Sequence, residues 1–152
     1  MRFIPIIFIS LLFNFSVLGD IILPNPDIKP ENVIKIQLKA LMENDIPAMD
    51  SGIIQTWEFA HPENRKYTGP LSNFTSMMKS DPYSLMIGHT EHNIILVSLN
   101  ENTANYFVEL IDNLGNKFGF TWTVKKVLKQ GKFKDCWMTS GVSIPLPLAK
   151  TA

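Results

Sequence analysis

The sequence predicts an α+β domain whose N-terminal helices pack on one face of a curved antiparallel β-meander. Apolar residues recur at helical spacing in the first half of the chain, whereas beyond Gly88 the period changes to two. Turn residues separate the later runs, as in strands joined by hairpins. The 152 residues are 45% hydrophobic, which is enough for one ordinary core and excludes a largely disordered chain.

The first nineteen residues have the features of a secretory signal peptide. Arg2 supplies a positive start, an uncharged run rich in Phe, Ile and Leu follows, and residues 17–19 offer a cleavage site. An uncleaved anchor is the alternative, but the run is short for a membrane span and contains polar residues. We therefore expect an exported protein, periplasmic or secreted, with no stable membrane span after cleavage.

The rest of the chain divides into three segments. Residues 20–29 contain Pro24 and Pro26 and are expected to form an extended lead-in. Residues 30–144 are expected to form a single α+β domain. Residues 145–152 are expected to form a flexible tail.

Three amphipathic helices are predicted at the start of this domain. The first begins at Pro30, the second at Asp45 and the third, a short one, at Pro70. Their buried stripes consist of Ile34, Leu38, Leu41 and Met42, then Met49, Ile53, Trp57 and Ala60, then Leu71, Phe74, Met77 and Met78. Helical periodicity disappears in the polar residues 61–69, which are predicted to be a loop.

Alternating patterns predict three hairpin-linked strands and a fourth near the end of the domain. They lie around residues 94–99, 104–111, 117–125 and 136–142, with turns at 100–102, 113–116 and 130–132. Both faces of the second strand are apolar, which is typical of a central strand.

The charge pattern disfavours a nucleic-acid binder. The chain has 14 basic and 14 acidic residues, and loss of Arg2 with the leader leaves a net charge of −1. The nearest approach to a basic patch is a group of five lysines: Lys125, Lys126, Lys129, Lys132 and Lys134. Solvated lysines that protect the edge of a strand from pairing with another chain would explain this group equally well. The lone Cys136 excludes an intrachain disulfide, and we expect it to be a small core residue.

Several segments in order resemble the domain of unknown function 4864. They are residues 60–71, Phe74, Met77, Pro82 with Tyr83, Gly88 with His89, residues 120–122 and residues 136–139, and the opening helix also fits. The resemblance covers about residues 30–142 and implies one domain, without an established activity. At the level of fold, helices followed by long strands are similar to the cone-shaped nuclear-transport-factor-2-like and cystatin-like class.

The candidate ligand-binding residues are Arg65, Tyr83, Trp122 and Trp137. Arg65 has the geometry to clamp a carboxylate or phosphate, although capping of neighbouring helix ends would also explain it. The aromatic residues would form the wall of a pocket at the open end of the cone, although aromatic residues alternating on a strand are also typical of plain core.

Histidines are the weaker candidates. His89 and His92 flank Glu91, but a spacing of three on an extended strand would place their rings on opposite faces, so no metal site and no cofactor are predicted. His89 or His61 would serve as a general base if the protein were an enzyme.

Three roles follow from these residues. We expect a non-enzymatic module that binds a small ligand or a protein. The alternative is an enzyme of the isomerase or dehydratase kind, with a histidine base in the pocket. The third is a homodimer joined through the outer sheet face that bears Thr121 and Thr123.

Overall fold

The structure is a computed structural model that describes residues 19–149, so all but the last residue of the predicted signal peptide and the last three residues of the predicted tail lie outside the described part. Four helices precede an antiparallel sheet, which confirms the predicted α+β class. The elements are α1 (Pro30–Met42), α2 (Ser51–Glu58), α3 (Pro62–Thr68), α4 (Leu71–Met78), a 3-10 helix (Tyr83–Met86), β1 (Glu91–Leu99), β2 (Thr103–Ile111), β3 (Lys117–Lys126), β4 (Trp137–Val142) and β5 (Leu146–Pro147).

The sheet is a meander in the order β1-β2-β3-β4. All neighbours are antiparallel, and β2 lies between β1 and β3, as its two apolar faces predicted. The short β5 pairs with Phe118 and Gly119 of β3 beyond the end of β4. Part of the segment that we predicted to be a flexible tail is therefore paired with the sheet.

One hydrophobic core fills the space between the helices and the inner face of the sheet. The inner residues of β2 and β3 alternate with more exposed ones, and α1 contributes Ile34, Leu38 and Leu41 of its predicted stripe, whereas Met42 is only partly buried. Each large apolar side chain buried in this way stabilises the fold by roughly 1.5–3 kcal/mol. The central members of the core are Val33, Ile34, Leu38, Leu41, Ile53, Phe59, Val108, Leu110, Phe120 and Trp122.

The second helix begins later than the sequence predicted. It starts at Ser51 rather than at Asp45, and Met49 is 77% exposed instead of buried. Asn44 explains the difference, because its side chain donates to the carboxylates of Asp45 and Asp50 and accepts the backbone N–H of Ile53. The residues that we assigned to the first turn of the helix therefore form a separate turn before it.

The prediction of a loop over residues 61–69 is wrong, because α3 occupies most of it. The His61 ring accepts the N–H of Glu63 at 3.2 Å, and Pro62 takes the first helical position, where its missing N–H is no loss. Gly69, with φ of 75°, ends the helix in a conformation that favours glycine. A polar composition without an apolar stripe concealed these local start and stop signals.

The lead-in is held against the helices. The side-chain amide of Gln55 makes two hydrogen bonds of 2.8 Å with the backbone of Ile22, one as donor and one as acceptor. Within residues 19–149, no helix has the length and hydropathy that a membrane crossing requires.

Candidate functional site

An apolar pocket of about 140 Å³ lies between the helices and the inner face of β3 and β4. Its lining residues come from α1, α2, α3, α4, the 3-10 helix and the sheet, and they include Gln37, Leu41, Thr56, Asn64, Phe74, Met77, Met78, Tyr83, Met86, Trp122 and Thr139.

Four buried residues of this lining are joined by hydrogen bonds. The Trp122 indole N–H donates to the Thr139 hydroxyl at 3.1 Å, and that hydroxyl donates to the side-chain oxygen of Gln37 at 2.6 Å. The Gln37 amide in turn donates to the backbone carbonyl of Thr56 at 3.0 Å. The polar groups on the pocket wall therefore satisfy one another, and no buried side-chain N or O atom in the described part of the chain lacks a partner.

Thr139 is placed by the backbone as well as by its hydroxyl. Its N–H donates to the carbonyl of Phe59 at 2.8 Å, and its carbonyl accepts the N–H of His61 at 2.8 Å. This parallel bridge brings the junction between α2 and α3 onto β4. The side chain at residue 139 is thus fixed between the helical layer and the sheet.

The half-buried members of the lining form the rim of the pocket. Asn64 and Thr68 come from α3, Met77 comes from α4, and Tyr83 comes from the 3-10 helix. The Tyr83 hydroxyl donates to the carbonyl of Val142 at 3.2 Å, which ties the 3-10 helix to the end of β4. Tyr83 and Trp122 therefore line one pocket, as the sequence predicted.

Arg65 lies outside this pocket, contrary to the arrangement that we expected. Its guanidinium donates to the carbonyls of Trp57 and Glu58, the last two residues of α2, and to that of Ala60 just beyond it, at 2.9–3.2 Å. It also lies over the Trp57 ring, 4.6 Å from the centroid. Arg65 thus serves the helix-capping role that we kept as the alternative, because terminal carbonyls of a helix lack partners within it.

Trp137 is also absent from the pocket lining. It is buried in the main core at the start of β4, where it pairs with Lys126. The Lys126 ammonium lies 5.2 Å from the centre of its ring. Of the four residues predicted to bind a ligand, two are brought together at one pocket and two are placed elsewhere.

None of the three histidines is a lining residue of the apolar pocket. His61 is buried and caps α3. Burial lowers the pKa of His61; the charge of Glu63 opposes this effect and that of Lys125 adds to it. The general base proposed for an enzymatic role is therefore not found among the lining residues of this pocket.

His89 and His92 contact each other, so the prediction that their rings lie on opposite faces is wrong. Their rings are 5.1 Å apart between centroids, and Nε2 of His89 is 2.8 Å from Nδ1 of His92. The reason is that His89 precedes β1 and follows Gly88, whose φ is 68°, so the two residues do not share an extended strand.

The tautomers of this pair follow from the hydrogen bonds. Nδ1 of His89 is 2.7 Å from the carbonyl of Met86, which can only accept, so Nδ1 carries the proton and Nε2 accepts from His92. Burial is the main cause that lowers the pKa of His89, to about 4. His89 is thus a neutral, structural residue near pH 7.

Metal and thiol chemistry receive no support from the geometry. In residues 19–149, no group of three or more His, Cys, Asp or Glu side chains is arranged to hold a metal ion. Cys136 is buried beside Val127 and Met138, and this burial raises the pKa of its thiol. Both features make Cys136 a core residue, as we expected, rather than a nucleophile.

Sequence reasoning missed the polar members of the pocket wall. Gln37 had a signal, because an amide interrupts the otherwise apolar stripe of α1 between Ile34 and Leu41. Thr139 and Thr56 had no recognisable pattern in the sequence, because their contacts join segments that are far apart in the chain.

Comparison with known proteins adds no relative to this description. No family model, no curated protein and no solved structure matches the chain.

Proposed function

We propose that this protein is a non-enzymatic binding module that holds a small, neutral, largely apolar molecule in the pocket between the helices and the sheet. One observation carries the proposal: among the described residues, the pocket has no charged lining residue, and the buried polar groups on its wall are hydrogen-bonded to protein partners. A charged ligand would lose its hydration there without gaining an ion pair.

The size and composition of the pocket narrow the ligand class. A cavity of about 140 Å³ compares with apolar cavities of roughly 150 Å³ that accept one benzene molecule in other proteins. Three methionines, Met77, Met78 and Met86, supply flexible side chains that adapt to different shapes. Asn64 at the rim offers an amide to one polar group of the ligand. A phenol-sized compound satisfies these conditions.

Two matched substitutions test the proposal with phenol as the probe. Met77→Trp fills the rim of the pocket, whereas Met49→Trp makes the same change at an exposed methionine outside it. Ligand-observed NMR should detect phenol binding to the unmodified protein and to Met49→Trp, with affinity at least about tenfold weaker for Met77→Trp. Equal phenol affinity for both variants would refute the proposal.

Self-association is a second proposed role, and a specific surface favours it. Within the described chain β1 pairs with β2 alone, so its other edge is free, and Ile95, Leu96, Val97 and Leu99 are 42–65% exposed. No charged side chain occurs in residues 92–100, so antiparallel pairing of β1 with a second copy brings no like charges together there. This edge is a better candidate for the homodimer than the outer face near Thr121.

Sedimentation at micromolar concentration distinguishes these two dimer surfaces. Leu96→Lys should abolish a dimer formed through the β1 edge, while Thr121→Lys should leave it intact. A dimer that survives Leu96→Lys, or an unmodified protein that sediments as a monomer, would contradict pairing through β1.

Export and the family resemblance also stay proposals. We propose that the chain is exported and cleaved before Asp20, and the mass of the mature protein from its host would test this. The similarity to the domain of unknown function 4864 and to the cone-shaped class is retained as a proposal; the α+β order of elements is compatible with it.

A further inference from the structure

We propose that a second site, a basic groove beside α3, binds a small soluble polyanion such as a compound with two or more phosphate groups. The groove is separate from the apolar pocket and has a volume of about 490 Å³, within the range of about 300–1,000 Å³ typical of ligand sites. Its walls are the start of α3, the turn between β1 and β2, the end of β3 and the connection that leads to β4.

The charge in this groove is strongly one-sided. It is lined by one acidic residue, Glu63, and by five lysines, although the whole chain has equal numbers of basic and acidic residues. None of these lysines belongs to an ion pair within residues 19–149. The five lysines that line the groove carry charges of the same sign, and a bound polyanion would offset their mutual repulsion. The five are Lys66, Lys125, Lys126, Lys129 and Lys132.

Protection of a strand edge, the explanation that the sequence offered for most of these lysines, does not fit their position. Lys125 and Lys126 lie on β3, and at this end β3 is paired on both sides. Lys125 is opposite Thr103 of β2 and also opposite Met138 of β4. There is no free edge at these residues for the charges to protect.

The connection that carries Lys129 and Lys132 is anchored and presents a preformed surface. The backbone N–H of Val127 donates to the carbonyl of Cys136 at 2.9 Å and joins the two ends of the connection, and the backbone N–H of Asp135 donates to the carbonyl of Val127 at 2.8 Å. Phe133 packs against the small cluster formed by Val127, Cys136 and Met138. A preformed surface reduces the entropy lost when a ligand binds.

The ligand class follows from these groups. Lysine ammonium groups are point charges that bind phosphate without a fixed geometry, so several of them around one groove favour a ligand with several anionic groups. Val127, Leu128 and Phe133 add apolar contacts for the body of such a ligand.

Calorimetric titration with sodium tripolyphosphate tests the proposal on the full mature chain. The groove variant combines Lys125→Gln, Lys129→Gln and Lys132→Gln. Its matched control combines Lys29→Gln, Lys35→Gln and Lys39→Gln, which removes the same charge from exposed positions at and just before α1. We expect tripolyphosphate to bind the groove variant about tenfold or more weakly than the unmodified protein, and the control within about twofold of it.

Three results would overturn the proposal. They are equal weakening in both triple variants, no binding of tripolyphosphate to the unmodified protein, or binding only to vesicles that contain phosphatidylglycerol. Circular dichroism shows whether the groove variant is folded. If the proposed function holds, phenol binding in the separate apolar pocket is a second sign that this variant is folded. Failure at the groove is thereby distinguished from failure at the pocket.

Discussion

Replacement of Thr139 by valine should destabilise the protein far more than the loss of one hydroxyl at the surface. Thr139 is 3% exposed, and its hydroxyl both accepts from the Trp122 indole and donates to Gln37. Valine keeps the branched shape but leaves a buried donor and a buried acceptor without partners. Each unsatisfied buried group costs about 1–3 kcal/mol, so we expect the two together to lower the free energy of unfolding by about 2–6 kcal/mol.

Urea unfolding monitored by circular dichroism measures this effect. With a slope of about 2 kcal/mol per molar urea, the midpoint should fall by about 1–3 M. Thr121→Val is the matched control, because Thr121 is exposed on the neighbouring strand and the same substitution there should change stability by less than about 0.5 kcal/mol.

A double-mutant cycle separates the hydrogen bond from general packing. In a Gln37→Met background the acceptor of the Thr139 hydroxyl is already gone, so Thr139→Val should cost at least about 0.5 kcal/mol less than in the unmodified protein. A change below 0.5 kcal/mol for Thr139→Val alone would refute the reasoning. It would mean that water in the pocket satisfies Trp122 and Gln37, and the pocket would then be polar.

Three further predictions follow from the packing. Gly52→Ala should severely destabilise the protein in a urea titration, because its Cβ would collide with the backbone carbonyl of Ala40 where α1 and α2 cross. Arg65→Lys should lower the free energy of unfolding, measured by urea titration, by roughly 1–3 kcal/mol, because lysine cannot reproduce the guanidinium fork. The same substitution should leave phenol affinity unchanged. Stability should fall as the pH is lowered from 6.5 to 4, because the buried His89, with a pKa of about 4, takes up a proton more readily in the unfolded chain than in the folded one. At pH 5 this difference should lower the free energy of unfolding by about 2 kcal/mol relative to pH 7. Urea midpoints at pH 7 and pH 5 test the last prediction, and an equal fall in a His89→Gln variant would contradict it.

Local patterns predicted the fold well. The stripe of α1 and the alternation of β3 each identify a buried face, because period 3.6 and period 2 follow directly from helix and strand geometry. The start of α2 and the presence of α3 were not predicted. Both depend on side chains that bond to nearby backbone, Asn44 in one case and His61 in the other, and periodicity does not report such bonds.

The candidate site was predictable only in part. Tyr83 and Trp122 were assigned to a pocket wall because proteins of the resembled cone-shaped class hold ligands at the open end; the same reasoning assigned Trp137 to that wall, and Trp137 lies in the core instead. Arg65 was assigned to a ligand, with helix capping as the alternative. The sequence could not decide between the two, because the carbonyls that Arg65 caps, on Trp57, Glu58 and Ala60, are backbone atoms that leave no pattern in the sequence. The same limit applies to the Gln37 to Thr139 contact, which joins residues 102 positions apart.

The pocket between the helices and the sheet is proposed to bind a small neutral molecule. The most direct measurement is a phenol titration of the protein labelled with ¹³C at its methionine methyl groups. Methyl signals of Met77, Met78 and Met86 should shift and saturate with one dissociation constant, while the exposed Met49 and the separately buried Met138 should not move. Benzoate should leave the three pocket signals unchanged. Pocket signals that do not shift with phenol, or that shift no more than the Met49 signal, would contradict binding of a small neutral molecule in this pocket.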